Sequence, residues 1–299
     1  MDFHNYPTKG CFRLKTLSSA FQRVMNILFH DLPFLNCLID DIIIASKNIH
    51  EHADHVAQVI KILMDANLIL NLDKCNFAQA STHLLSFSVS AKGIALDVHK
   101  VTTILDYPPL QTGKDYMEFG GLINYFRSSI PNCAKIMSPI DALQHEKSLK
   151  GKWGLAQQKA FDTVRQILTK TPILRYPSLH DKFYIGTDAS NSGIACVLYQ
   201  IINNETRHIA FMSRTLSKSE RNYSTTKKEL LVIIYALHKF HHYMYGREFE
   251  LHTDHRSLCW LQTQPIANRM MINWFEAILS YPGMKIVHSQ DYKIRYQTY

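Results

Sequence analysis

Phe183-Tyr-Ile-Gly-Thr-Asp188-Ala-Ser-Asn-Ser192-Gly-Ile-Ala-Cys-Val-Leu-Tyr199 is the stretch on which the fold turns. An apolar run ends on Asp188. Small turn-forming residues follow, and a second apolar run starts at Ile194. The pattern predicts two strands, Phe183–Thr187 and Ile194–Tyr199, and His208–Met212 repeats it as a third. Downstream the period changes. Thr225 to His242 reads as a long helix, Glu248–Thr253 as a strand, Asn268–Ser280 as a helix and Met284–His288 as a strand. Three strands, a helix, a strand, a helix and a strand describe a mixed five-stranded α/β sheet of about 120 residues, an ordinary domain size.

Working back from that sheet, Pro172 and Pro177 punctuate a linker. Helical patterns cover Asp115–Ser128, Asn132–His145 and Ala156–Thr169. Pro108-Pro109 breaks the chain. Before it, Leu84–Val89 and Gly93–Leu96 look like a small strand pair. His50–Leu68 reads as a helix, with Val56, Val59, Ile60, Leu63 and Met64 on one face. Ser18–Leu32 reads as another. Between those helices, two apolar runs flank Asp40 and Asp41, a hairpin signal with the aspartates at its turn. The expected class is α/β, with an α+β N-terminal half. The expected divisions are 1–108, 109–180 and 181–299.

Composition narrows the function. The chain has 299 residues, 46% of them apolar, and a formal charge of +8. That excludes a disordered chain. No run approaches the ~20 apolar residues of a membrane span, and no secretory signal follows Met1. Six scattered cysteines without a C-x-x-C pair argue against zinc ribbons and for reduced thiols, hence a cytoplasmic or nuclear setting. From Asp181 onward there are 14 basic and 10 acidic residues, so the positive excess is shared by both parts of the chain. It suits a polyanion bound along the whole molecule.

Asp188 ends one strand, Asp254 ends another, and Glu229 lies on the long helix. Aspartate is a poor strand residue. Three converging carboxylates repel unless divalent cations neutralise them, and hard cations take oxygen ligands. Two such ions ~4 Å apart can serve phosphodiester cleavage. Spacing alone leaves open the plainer alternative of turn aspartates plus a surface glutamate.

The wording around these residues goes further. Thr187–Leu198, then Ser213-Arg-Thr-Leu-Ser217, Arg221-Asn-Tyr-Ser-Thr-Thr-Lys-Lys-Glu-Leu-Leu231 and His252-Thr-Asp-His-Arg-Ser-Leu258 closely resemble the ribonuclease H domain of Ty3/gypsy-type LTR retrotransposon polyproteins. The resemblance implies that Asp188, Glu229 and Asp254 are catalytic metal ligands for Mg²⁺ or Mn²⁺, and that the substrate is the RNA strand of an RNA–DNA hybrid. Upstream, Cys37-Leu-Ile-Asp-Asp41 with Ile42–Lys47, His52–Gln58 and Leu70–Cys75 resembles the reverse-transcriptase palm. There the resemblance implies that Asp40 and Asp41 hold metal for an RNA or DNA template-primer. Gly121–Arg127 resembles the connection region.

Several positions depart from the family. The first palm aspartate belongs to a strand N-terminal to the segment present, so the polymerase half reads as incomplete. Arg13 stands at a family Gly and Leu38 at an aromatic. Leu84-Leu-Ser-Phe87 replaces Phe-Leu-Gly-His. An ungapped reading puts Thr298 at the fourth acidic position of the ribonuclease H motif, with Asp291 seven residues earlier. The expected activity is therefore that of a retrotransposon-derived reverse transcriptase/ribonuclease H in a truncated, degenerate copy. The alternative is a catalytically dead nucleic-acid-binding remnant. The sequence sets no oligomeric state.

Overall fold

Apolar residues at helical spacing build two helices around a hairpin near the N-terminus of the computed structural model, which describes residues 16–170, 174–256 and 269–288. The chain divides into two compact units, Met1–Ala80 and Ser81–Tyr299. In the first, α1 (Leu17–Leu28), β1 (Leu35–Leu38), β2 (Asp41–Ile44) and α2 (Ile49–Asp65) enclose Met25, Phe29, Leu32, Leu35, Val59 and Leu63. Asn48 sets the start of α2, its side chain accepting from Glu51 N.

The second unit opens with a three-stranded antiparallel meander, β3 (Ser81–Leu84), β4 (Phe87–Ser90) and β5 (Gly93–Leu96). The expected strand pair is therefore corrected to three strands. The stretch Leu84–Val89 is not one strand, because the chain reverses at Leu85-Ser86, both at positive φ (45° and 67°). Neither residue is the Asn, Asp or Gly that usually takes positive φ in a two-residue hairpin turn, so the reversal leaves little signal. Ser86 stands where the related motif has Gly, and a side chain in the left-handed region is strained. Ser86→Gly should stabilise the protein by about 0.5–1 kcal/mol. Chemical denaturation measures it, and an unchanged midpoint would count against strain at this turn.

Next come α3 (Val98–Leu105), α4 (Gly113–Tyr125), α5 (Cys133–Asp141) and α6 (Leu155–Thr169). Helix α3, absent from the sequence reading, is started by the Asp97 carboxylate accepting from His99 N. These helices bury Ile104, Phe119, Ile123, Phe126, Ile140, Phe161 and Val164 together. Helix α5 begins unusually. Asn132 before it is left-handed (φ 51°) and gives no side-chain cap. The cap comes from 79 residues away, where buried Ser213 Oγ accepts from Ala134 N at 3.1 Å.

Ser213 belongs to a mixed five-stranded sheet, as expected. Its strands are β6 (Phe183–Ala189), β7 (Gly193–Ile202), β8 (Glu205–Thr215), β9 (Phe249–Thr253) and β10 (Met284–His288), in the order β10-β9-β6-β7-β8. The first three pair antiparallel, whereas β9 is parallel to both β6 and β10. Asn203 and Asn204, both at positive φ, form the tight turn between β7 and β8. After β8 come α7 (Lys218–Arg221), α8 (Thr225–Lys239) and α9 (His241–Met244), and α10 (Arg269–Leu279) precedes β10. Leu230, Val232, Ile233, Ala236 and Leu237 bury α8 with Phe183, Ile185, Leu198 and Leu251 of the sheet.

His208 on β8 is buried, and burial holds its pKa down to about 4. An unfolded histidine titrates near 6.5. Between those values the unfolded chain binds the extra proton, so stability is complete above about pH 6.5 and falls as the pH drops towards 4. Denaturation across that window should show a fall on the order of 2–3 kcal/mol that His208→Phe flattens. An equal slope in the variant would assign it to other groups. Among the described residues, no helix is long and apolar enough to cross a membrane.

Candidate active site

Strands β6 and β9 are parallel neighbours in register from Phe183–Phe249 to Gly186–His252. Asp188 and Asp254 each lie two residues beyond that last pair, at matching places on the carboxyl ends of adjacent strands. Asp188 still pairs with Ala195 of β7. Both aspartates are half-buried. Thr187 Oγ1 donates to His252 O at 3.2 Å, tying the strands just below them.

Glu229 lies in the second turn of α8, whose N-cap Ser224 accepts from Lys227 N. It is 3% exposed, so the surface-glutamate alternative is corrected. The apolar run that follows it clamps α8 onto the sheet and takes Glu229 inward with it. Its neighbour Lys228 is also buried, with Nζ donating to Asn191 Oδ1 at 3.0 Å. Asn191 is in the turn after Asp188. On the other side, Thr226 Oγ1 is hydrogen-bonded to His255 Nε2 at 2.9 Å. His255 follows Asp254. Neither contact is visible in the sequence, because each joins short motifs 29 to 37 residues apart.

The donor set of Asp188, Glu229 and Asp254 is all carboxylate oxygen, which suits a hard divalent cation. Among the described residues, no three acidic, histidine or cysteine side chains are gathered closely enough to hold a metal. Asp291 and Thr298, the alternatives for a fourth position, lie outside the described residues.

Asp40 and Asp41 lie in the other unit. Asp41 opens β2 opposite Leu38, and Ile39-Asp40 forms the turn. Ile39, a β-branched residue, has φ 56°, a conformation strained for its type. The Gln22 amide of α1 spans this turn, accepting from Ile39 N at 2.5 Å and donating to Cys37 O at 2.9 Å. Burial, with the charges of Asp41 and Asp40, pushes the Cys37 thiol up, so it is protonated and unreactive at neutral pH.

Comparison with known proteins places both regions. Residues 15–89 match the reverse transcriptase (RNA-dependent DNA polymerase) family, and residues 153–251 match the RNase H-like domain found in reverse transcriptase. Both families are divalent-metal dependent. The Retrovirus-related Pol polyprotein from transposon 297 of Drosophila melanogaster is 36% identical over 265 residues, 88% of this chain and 25% of the relative. That from transposon gypsy is 36% identical over 277 residues, 88% and 26%. The Schizosaccharomyces pombe Transposon Tf2-3 polyprotein is 31% identical over 252 residues, 83% and 19%. The chain thus spans about a quarter or less of these relatives. A foamy viral protease-reverse transcriptase in complex with dsDNA superimposes with a TM-score of 0.77 at 21% identity, covering 93% of this chain and 59% of that one. The same enzyme in complex with RNA/DNA hybrid gives 0.76 at 20%, covering 91% and 38%. These two likenesses bear on the fold.

Proposed function

Because the chain carries a reverse-transcriptase segment and a reverse-transcriptase-type RNase H-like domain, as retrotransposon polyproteins do, we propose that its C-terminal part, residues 181–299, hydrolyses the RNA strand of RNA–DNA hybrids. The observation that carries the reading is the pair Asp188 and Asp254 at matching ends of parallel strands, beside a buried glutamate on the helix packed against them. In this reading Asp188, Glu229 and Asp254, which do not stand close enough to form a metal site in the structure, would close on Mg²⁺ or Mn²⁺. Bound divalent ions supply an activated water and charge stabilisation for the leaving oxygen. The chain's own work is positional. Strand register sets the two aspartates side by side, and burial keeps water from Glu229. The charge of +8 draws the phosphate backbone in through counterion release.

Residues 1–108 form a partial palm and the start of a thumb in this reading, and 109–180 a thumb and connection. Asp40 and Asp41 would hold metal for an RNA or DNA template-primer. The protein works in the cytoplasm or nucleus.

The test is cleavage of a labelled RNA–DNA hybrid against RNA duplex and DNA duplex controls, with Mg²⁺ and with Mn²⁺. Hybrid-only, metal-dependent cleavage supports the reading. A folded protein that binds the hybrid and cleaves nothing establishes the binding remnant instead. Thr298→Asp should raise cleavage on the order of a hundredfold if position 298 is where a fourth carboxylate belongs. If Thr298→Asp changes nothing and Asp291→Asn abolishes cleavage, Asp291 is that ligand.

A further inference from the structure

We propose that Thr226, Lys228, Asn191 and His255 are positioning residues: two hydrogen bonds strap α8 to the ends of β6 and β9, and so set where Glu229 stands relative to Asp188 and Asp254. The proposal rests on the ribonuclease reading above and adds to it what holds the three carboxylates in place.

Helix α8 is glued to the sheet by apolar contact, which is non-directional and leaves sliding or rotation of a helix weakly determined. Hydrogen bonds are directional, and the two straps end beside the acidic residues. Thr226 is three residues before Glu229, hence on the same side of the helix one turn earlier. Its bond runs to His255, next to Asp254. Lys228, adjacent to Glu229, bonds to Asn191, three residues after Asp188. Each strap therefore joins the helix that carries Glu229 to the segment that carries one aspartate.

Both anchor points are stiff. In the turn after Asp188, Ser190 Oγ accepts from Gly193 N at 3.0 Å and donates to Gly193 O at 2.9 Å. After β9, His255 N donates to Thr253 Oγ1 at 3.2 Å, and Thr253 is fully buried. Asp254 is thus enclosed between two fixed residues. Lys228 is 7% exposed. Taking an ammonium out of water is costly, and for packing alone an apolar side chain of similar length would serve better. A buried ammonium here makes sense if its reach to the Asp188 turn matters.

The experiment is a Mn²⁺ titration of the full 299-residue chain, followed by water-proton relaxation, with thermal unfolding of every variant alongside. Wild type should bind Mn²⁺ in a manner that Asp188→Asn removes. Thr226→Val and Lys228→Met should each weaken that binding about tenfold, the usual effect of losing an outer-shell partner. Thr226→Ser, which keeps the hydroxyl, should restore wild-type affinity. Thr226→Val with His255→Phe should be no weaker than Thr226→Val alone, since both break one bond. Thr226 is exposed, so its variants fold even if Lys228→Met does not. Wild-type affinity in Thr226→Val, or equal loss in Thr226→Ser, overturns the straps. A wild type with no Asp188-dependent Mn²⁺ binding overturns the metal-site reading itself, and the straps with it. The two failures are told apart because the second is read before any strap variant is made.

Discussion

Asp188→Asn should take metal-dependent hybrid cleavage to background, a fall of about a thousandfold or more, and raised Mn²⁺ should not restore it. The substitution keeps the shape of the side chain and removes its charge. Asp188 is fixed in place by its strand, which pairs with Ala195 of β7 at this residue and with β9 up to Gly186. An amide oxygen is a much weaker ligand for a hard cation. Two-ion hydrolysis loses both its nucleophile and its charge stabilisation when one ion is lost, a deficit of several kcal/mol in the barrier. The thermal midpoint should not drop, since half-buried Asp188 ends a strand and relief of like charge near Asp254 offsets any lost bond. Cleavage by Asp188→Asn within about tenfold of wild type would move the chemistry elsewhere.

Gly193→Ala is expected to cost about 3 kcal/mol of stability through a single methyl group. A Cβ there would lie 2.9 Å from Arg214 O and 3.5 Å from the Ala134 Cβ. The first contact is backbone of a paired strand and cannot swing aside. The second is an ordinary van der Waals contact with α5, so the strain falls on the pairing of β7 with β8. A drop in the melting midpoint of roughly 6–12 °C should follow. A shift under about 2 °C would mean that β7 and β8 can part locally at no cost.

Legibility in the sequence followed the range of each interaction. Strands and helices whose apolar residues repeat were readable to within a few residues, and Met284–His288 was read to its ends. The aspartates were readable because a charged residue closing an apolar run is odd in itself. The inward turn of Glu229 was not, since it depends on which face of α8 meets the sheet. The reversal at Leu85-Ser86 was missed because it is a two-residue hairpin turn with both φ positive, and it lacks the Asn-Gly or Asp-Gly pair that usually marks one. Helix α3 was missed because its eight residues are too few for a period to declare itself. Ser213 as a helix cap, and the Thr226 and Lys228 bonds, join distant segments, and a single sequence contains no record of such pairs.

The Ser213–Ala134 bond has a consequence for how the protein is made. Synthesis delivers α5 first, with an unsatisfied amide at its start and its partner strand still 79 residues away. At about 5–20 residues per second, the ribosome needs some 4–16 s to supply that strand. During this interval α5 lacks both its cap and the sheet surface it packs on. The nascent chain should remain open to proteases until residue 213 has left the exit tunnel, and then close α5 and β8 together.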